Sequence, residues 1–191
     1  MRTILPPKAH LIPEHATRAF KGVMYDTYQW EQELFDGSTA TFEMLKRPDT
    51  LKVLGVRDHQ LVVILEEQPH THKEYYGLPG GCHDVEAETE LEGAQRELRE
   101  ETGLAFANWR LVDVFQPQTD IEQFVYTFLA TDFESQIAQN LDAGEKIQVQ
   151  LFDLEGVRQL DADGRARHLP MNLLGQVESI DQLADLPQYG A

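Results

Sequence analysis

The stretch from Gly80 to Leu104 reads GGCHDVEAETELEGAQRELREETGL, and its second half decides the fold. Thr89 precedes a periodic run and Glu92 follows three residues later, which is the pattern of a capping box. Gly103 stands where a left-handed C-terminal cap belongs, and Leu104 follows it as an apolar lock. The spacing predicts a helix from about Glu90 to Thr102. At about 100° per residue, Leu91, Ala94 and Leu98 share an arc expected to face a core, and Glu97, Glu100 and Glu101 share the adjacent arc. Three carboxylates at i, i+3 and i+4 repel one another. Their place near the helix C-terminus also sets them against the macrodipole. A divalent cation offsets that cost. Magnesium prefers oxygen ligands and keeps several waters, so a few carboxylates together with substrate phosphates suit it. The bland alternative is a solvated acidic face with Arg96 and Arg99 as ion-pair partners.

Working outward, Tyr75 to Leu78 reads as a short strand ending at Pro79-Gly80-Gly81. Before it, Leu51 to Val56 and Leu61 to Glu66 are β-rich runs joined by a hairpin at Arg57-Asp58-His59-Gln60. Further upstream, Phe20 to Leu34 reads as one or two strands. Phe35-Asp36-Gly37-Ser38 has hairpin turn chemistry, and Thr39 to Lys46 returns as a partner strand. Beyond the helix, strands are expected near Trp109 to Phe115, Glu122 to Ala130 and Lys146 to Phe152, with helices at Leu154 to Leu160 and Met171 to Asp185. Strands and helices mix without regular alternation, so the fold class is α+β, with helices packed on a mixed sheet. Residues 1–17 read as a loosely ordered leader, 18–48 as an N-terminal β segment, and 171–191 as a tail without a chemical signal.

The chain has 191 residues and a net charge of -17, from 16 Lys+Arg against 33 Asp+Glu. A field of that sign repels nucleic-acid backbones, and no nucleic-acid partner is expected. It also repels phosphate-bearing small molecules unless cations intervene. No apolar run approaches the length of a bilayer span, so no membrane partner is expected. Met1 to His10 does not read as a secretory signal. The single cysteine, Cys82, rules out an internal disulfide framework, and a cytoplasmic protein is the simplest reading. No thiol-activating constellation accompanies Cys82. His70 and His72, two apart in a polar loop, read as solvated side chains.

The same stretch resembles the Nudix box: Gly, five residues, Glu, seven residues, Arg-Glu, an aliphatic, any residue, Glu-Glu, any residue, Gly, an aliphatic. Here Glu88, seven residues, then Arg96-Glu97-Leu98-Arg99-Glu100-Glu101-Thr102-Gly103-Leu104 match at every defined position. The front half departs, because Cys82 stands six before Glu88. With Gly81 as the box glycine, the loop is one residue longer than usual and the helix is untouched. The resemblance implies a Nudix-type α/β/α sandwich with a mixed sheet over residues 49–170. It implies Glu97 and Glu101 as principal metal ligands and Glu100 as a third, direct or through water. The backbone carbonyl near Gly80 is a further ligand. It also implies Arg96 and Glu88 as an orienting pair, and magnesium or, in its place, manganese as cofactor.

Outside the box, the chain resembles the ADP-ribose pyrophosphatase branch of that family. The resemblance implies hydrolysis of a nucleoside diphosphate sugar, ADP-ribose first, to AMP and ribose 5-phosphate. GDP-mannose-type sugars and nucleoside triphosphates are the alternatives, and a non-catalytic nucleotide-sugar sensor is the alternative of another class. That branch is commonly dimeric, with N-terminal strands shaping the partner's nucleotide site, so the resemblance implies a homodimer. Trp30, Tyr28 or Phe35 would then stack on a base. Glu145, in the loop Asp142-Ala143-Gly144-Glu145, stands where the branch places a loop base or extra ligand. Arg47 is a candidate for a phosphate or base contact, and His83, inside the box loop, for a substrate contact.

Overall fold

Short alternating runs broken by turn residues build most of the chain, as the computed structural model, which describes Arg2 and residues 4–190, makes plain. In chain order the strands are β1 (Thr17–Lys21), β2 (Asp26–Glu33), β3 (Thr39–Lys46), β4 (Asp49–Arg57), β5 (Gln60–Glu67), β6 (Glu74–Gly77) and β7 (Cys82–His83). Helix α1 (Glu90–Thr102) follows, then β8 (Leu104–Phe115), β9 (Ile121–Glu122), β10 (Val125–Gln136) and β11 (Lys146–Phe152). Helices α2 (Leu154–Ala162) and α3 (Met171–Leu174) and a 3-10 helix (Ile180–Asp185) complete the described chain. The architecture is α+β, with a mixed sheet between helical layers. Among the described residues, no helix is long and apolar enough to cross a membrane.

One sheet runs β11-β5-β4-β10-β8, with β4 and β10 parallel and the other neighbours antiparallel. β4 and β5 pair only at their hairpin end, Val56↔Leu61 and Arg57↔Gln60, and then diverge. The segment from β6 to β7 enters the gap: β6 pairs with β5, and β7 pairs with β4. Period-two alternation sends Leu51, Val53 and Val62 to one face, where they meet Ala94 and Leu98 of α1. Leu54, Leu61 and Val63 go to the other face, against Leu154, Val157 and Leu160 of α2 and Leu173, Leu174 and Leu183 beyond it. A second sheet, β1-β2-β3-β9, holds the N-terminal strands and leaves Phe20, Phe35 and Phe42 exposed.

Several boundaries differ from the sequence expectation. β8 begins at Leu104, not near Trp109, because Gly103 (φ 72°) reverses the chain straight into a strand. A Cβ at Gly103 would also lie 2.1 Å from the Ile137 carbonyl oxygen, so only glycine fits that turn. The strand expected over Glu122 to Ala130 divides into β9 and β10. The helix expected from Met171 to Asp185 breaks at Gly175 into α3 and the 3-10 helix. Leu91, expected to face the core, is 37% exposed, whereas Ala94 and Leu98 are fully buried. The buried arc also takes in Glu90, Gly93, Glu101 and Thr102, which centres it on Ala94 and leaves Leu91 at its edge.

Candidate active site

The helix that carries the acidic residues is fixed at both ends. The Thr89 hydroxyl accepts the Glu92 N–H (3.2 Å), and Glu92 Oε2 accepts the Thr89 N–H (2.8 Å), completing the capping box. At the other end the Gly103 N–H donates to the Arg99 carbonyl (2.9 Å). The preceding loop is held by β4: the Leu51 N–H donates to the Gly81 carbonyl and the Val53 N–H to the Pro79 carbonyl, each at 2.9 Å. Gly80 has φ 136°, and a Cβ there would meet the Leu51 carbonyl oxygen at 2.1 Å. A Cβ on Gly81 would lie 2.4 Å from Glu97 Oε2. The two glycines thus let loop, strand and helix approach more closely than any side chain permits.

Glu101 falls on the buried arc and is 5% exposed. Its Oε2 accepts the Gly80 N–H at 2.7 Å. Burial pushes its pKa up to about 8; the Gly80 N–H and the charge of Lys52 oppose that rise, and Glu97 and Glu145 add to it. Burial raises Glu97 as well; Arg96 opposes the rise, and the charges of Glu100 and Glu145 add to it. Arg96 is the hub of this acidic group. Its Nε and one terminal nitrogen donate to the two oxygens of Glu88 (2.9 and 3.1 Å). The other terminal nitrogen donates to Glu97 (2.8 Å) and Glu100 (3.1 Å). These bonds, with that to Glu88 the strongest, raise the Arg96 pKa far above its usual value.

Glu97, Glu100, Glu101, Arg96, Gly80 and Glu145 line one cleft of about 420 Å3. Arg47, Thr50, Glu66, Gln68, Cys82, Asp84, Asn140 and Asp142 line it as well, and of these Thr50, Glu66, Gln68, Asp84 and Asn140 carry no local signal in sequence. Glu88 stands behind the cleft, reached through Arg96. Between β7 and the helix cap the chain turns through Ala87, which adopts φ 65°. His83 Nε2 donates to the Glu88 carbonyl (2.9 Å), closing that loop, and its ring lines a neighbouring cavity instead of the cleft. Tyr28 lines the same neighbouring cavity. Trp30 does not join either: it lies 6.2 Å from Phe42, centroid to centroid, and opens on a separate recess with His15 and Thr17. Phe35 is fully exposed at the β2–β3 turn. His72 lies 3.9 Å from Glu67 on an exposed loop.

The donor set is one of hard oxygens, and a carboxylate as buried as Glu101, raised by its own burial, is one that a bound cation would stabilise in its charged form. By donor chemistry the residues fit a divalent ion. Among the described residues, no three His, Cys, Asp or Glu side chains stand together at metal-binding spacing. The oxygens are engaged by Arg96 and the Gly80 N–H, and a cation would share them with those donors.

The chain matches the NUDIX domain over residues 46–172. It is 26% identical to an ADP-ribose pyrophosphatase of Bacillus subtilis (strain 168) over 144 residues, 74% of this chain and 77% of that relative. It is 30% identical over 97 residues to an ADP-ribose pyrophosphatase of Mycobacterium tuberculosis (strain ATCC 25618 / H37Rv). That second match covers 50% of this chain and 47% of the relative, about half its length. A solved structure of an ADP compounds hydrolase shares the fold, with a TM-score of 0.60 at 17% identity, over 80% of this chain and 95% of that one. The NUDIX match spans more than half of the sequence and includes the whole of α1 and its loop, and the family generally uses divalent cations. The chain therefore belongs to the NUDIX family and is a Nudix hydrolase.

Proposed function

We propose that this enzyme hydrolyses the pyrophosphate linkage of a nucleoside diphosphate sugar, ADP-ribose first, to AMP and ribose 5-phosphate, with magnesium as the cation. The observation that carries the reading is the meeting of Glu97, Glu100, Glu101 and Glu145 in one cleft under the Gly80-Gly81 backbone. Glu97 and Glu101 are assigned as principal cation ligands, Glu100 as a third, and the Gly80 carbonyl as a backbone ligand. A bound divalent ion supplies neutralisation of the diphosphate and a more acidic water. Glu145 reaches the cleft from the opposite loop and is assigned as the base that takes a proton from the attacking water. The water oxygen forms a new bond to phosphorus, and the bridging P–O bond breaks to release the two monophosphates. Arg96, bound to Glu88, holds the helix and its carboxylates against the loop. Arg47, which lines both the cleft and the larger cavity, is assigned to the diphosphate.

The nucleoside half is placed in the larger cavity, with Tyr28 and His83 in its wall. Trp30 reaches a nucleotide only when a second copy of the chain brings it there. The exposed Phe20, Phe35 and Phe42 of the N-terminal sheet support a homodimer through that sheet. The working enzyme is read as cytoplasmic. The test is incubation with magnesium and a panel of nucleotide sugars, read as AMP or GMP release. AMP from ADP-ribose is expected, and Glu101→Gln is expected to stop it. Release of neither nucleotide from any nucleotide sugar would overturn the reading. Sedimentation of the protein as a monomer at micromolar concentration would remove the dimer.

A further inference from the structure

Asp49 and Glu122 are each 5% exposed. Two carboxylates with so little water need a cation between them. Arg2 is that cation. Its Nε and one terminal nitrogen donate to the two oxygens of Asp49 (2.6 and 2.9 Å), and its other terminal nitrogen donates to Glu122 (2.7 Å). The guanidinium also lies 4.6 Å from the centroid of the Phe124 ring. Lys46 reaches Glu122 from the solvent side (2.8 Å). The Phe124 N–H donates to Asp49 and the Ile12 N–H to Glu122, each at 2.8 Å. Burial works to raise the Glu122 pKa, but the bonds from Lys46, Ile12 and Arg2 outweigh it and hold the carboxyl below its usual value.

The described arm from Arg2 to Ile12 contains no helix or strand and hangs on such side-chain bonds. Tyr126 donates to the Ile4 carbonyl (2.8 Å), and the Gln116 side chain exchanges two bonds with the His10 backbone (2.7 and 2.9 Å). Leu5 and Leu11 of the arm are 42% and 45% exposed, and both line the cavity of about 980 Å3 that adjoins the carboxylate cleft. Val23, Met24 and Val85, also exposed, line the same cavity. Single exposed apolar residues need no explanation, but five of them line one concavity beside charged residues that include Arg2, Asp49 and Glu122, a mixed wall that suits a planar, partly apolar group. The cavity and the cleft share Arg47 and Asp84, so one ligand can occupy both.

We propose that Arg2 is a positioning residue for substrate binding: by locking the N-terminal arm to Asp49 and Glu122, it sets the wall of the nucleoside cavity. The proposal rests on the nucleotide reading given above. The test is calorimetric titration of the full chain with AMP, and separately with pyrophosphate, in the presence of magnesium. Wild type is expected to bind AMP. Arg2→Met is expected to raise the AMP Kd by about tenfold or more at unchanged stoichiometry. Arg2→Lys should recover part of the affinity, and the pyrophosphate Kd, which reports the carboxylate cleft, should stay within about twofold. A residue that only stabilises the fold would instead lower the stoichiometry at constant Kd, and that result would overturn the proposal. If Arg2→Met does not fold, Leu11→Glu, on an exposed wall residue, is expected to weaken AMP in the same way. A wild-type AMP Kd in the variant that folds, or no AMP binding by wild type, also overturns it. No turnover is read here, so an enzyme inactive on ADP-ribose leaves this test intact. An AMP Kd indifferent to Arg2 in an enzyme that cleaves ADP-ribose would sink this inference alone.

Discussion

The carboxylate cleft and the cavity beside it share Arg47 and Asp84 but are built in different ways. The cleft is charged, and its central residues come from one capped helix and a loop that β4 fixes through its backbone. The cavity is assembled from the N-terminal arm, the ends of the N-terminal strands, the start of β4 and the box loop, and its apolar walls are exposed. The contrast fits the roles proposed for each. Charge stabilisation depends steeply on donor placement, so its groups sit on rigid elements. Apolar contact is non-directional, so segments distant in sequence suffice to supply it.

If that division of labour holds, substitutions in the two regions should fail differently, and the largest failure belongs to the cleft. Glu101→Gln should lower kcat on ADP-ribose by orders of magnitude without unfolding the protein, measured as AMP release beside a thermal melt. Wild-type turnover in that variant would remove Glu101 from the ligand set. The same substitution should act the other way on stability when no metal is present. Folded Glu101 keeps its proton up to about pH 8, whereas an unfolded glutamate loses it near pH 4.3. The folded state binds the extra proton through that window, so stability falls as pH rises between the two values. Metal-free Glu101→Gln should therefore melt above metal-free wild type at pH 8 and close to it at pH 5. A wild type whose melting temperature is flat across that range would contradict the buried, uncompensated carboxylate.

Arg96→Met comes next in size. It removes the cation shared by Glu88, Glu97 and Glu100. Activity at fixed magnesium is expected to fall by about 10–100-fold, the usual cost of losing a partner that orients metal ligands. Part of that loss should be recovered at higher magnesium, since the variant carboxylates are displaced and not absent. A loss that no magnesium concentration relieves would mean that Arg96 acts on the substrate itself.

How much of this was legible in the sequence divides along the same line. The capping box at Thr89 and Glu92, the glycine turn at Gly103 and the Glu88–Arg96 pair are all local, spanning eight residues or fewer between partners, so a linear reading reaches them. Glu145 was legible only through the resemblance, because its distance from α1 along the chain hides their meeting. The Arg2–Asp49–Glu122 network was invisible: its members are 47 and 120 residues apart, and nothing in the neighbours of any one announces the others. His83 is a substrate-contact candidate by its position in the box loop; its Nε2 bonds to the Glu88 carbonyl while the ring lines the larger cavity, an arrangement that a linear reading does not reach. The C-terminal segment carries no motif, but Leu173, Leu174, Ile180, Leu183 and Leu186 bury against the sheet. The sequence predicts one helix there, but the chain leaves the helix at Gly175 and two short ones form.

The cavity should respond more gently and in KM. Val85→Asp puts a charge on an exposed wall residue of the box loop, 47% exposed, where little folding energy is at stake. KM for ADP-ribose is expected to rise by about tenfold, the scale of a lost apolar contact, with kcat nearly unchanged. An equal fall in kcat with KM constant would place that loop in the chemistry and not in recognition.

The smallest effect is expected at Trp30, and it is the most informative about assembly. Within one chain its indole N–H donates to Gln32 (3.1 Å), its ring rests near Phe42, and it faces neither the cleft nor the cavity. Trp30→Ala should then shift KM by no more than about threefold, the range of an ordinary surface substitution. A base stacked on an aromatic ring is worth on the order of 1–3 kcal/mol, a rise of about tenfold or more. The two outcomes are separable in one steady-state measurement, repeated across protein concentrations that span the monomer–dimer equilibrium. A large rise in KM, confined to concentrations at which wild type is dimeric, would mean that a second copy carries Trp30 into the nucleotide cavity. The apolar wall would then be shared between two chains, while the carboxylate cleft would remain the work of one.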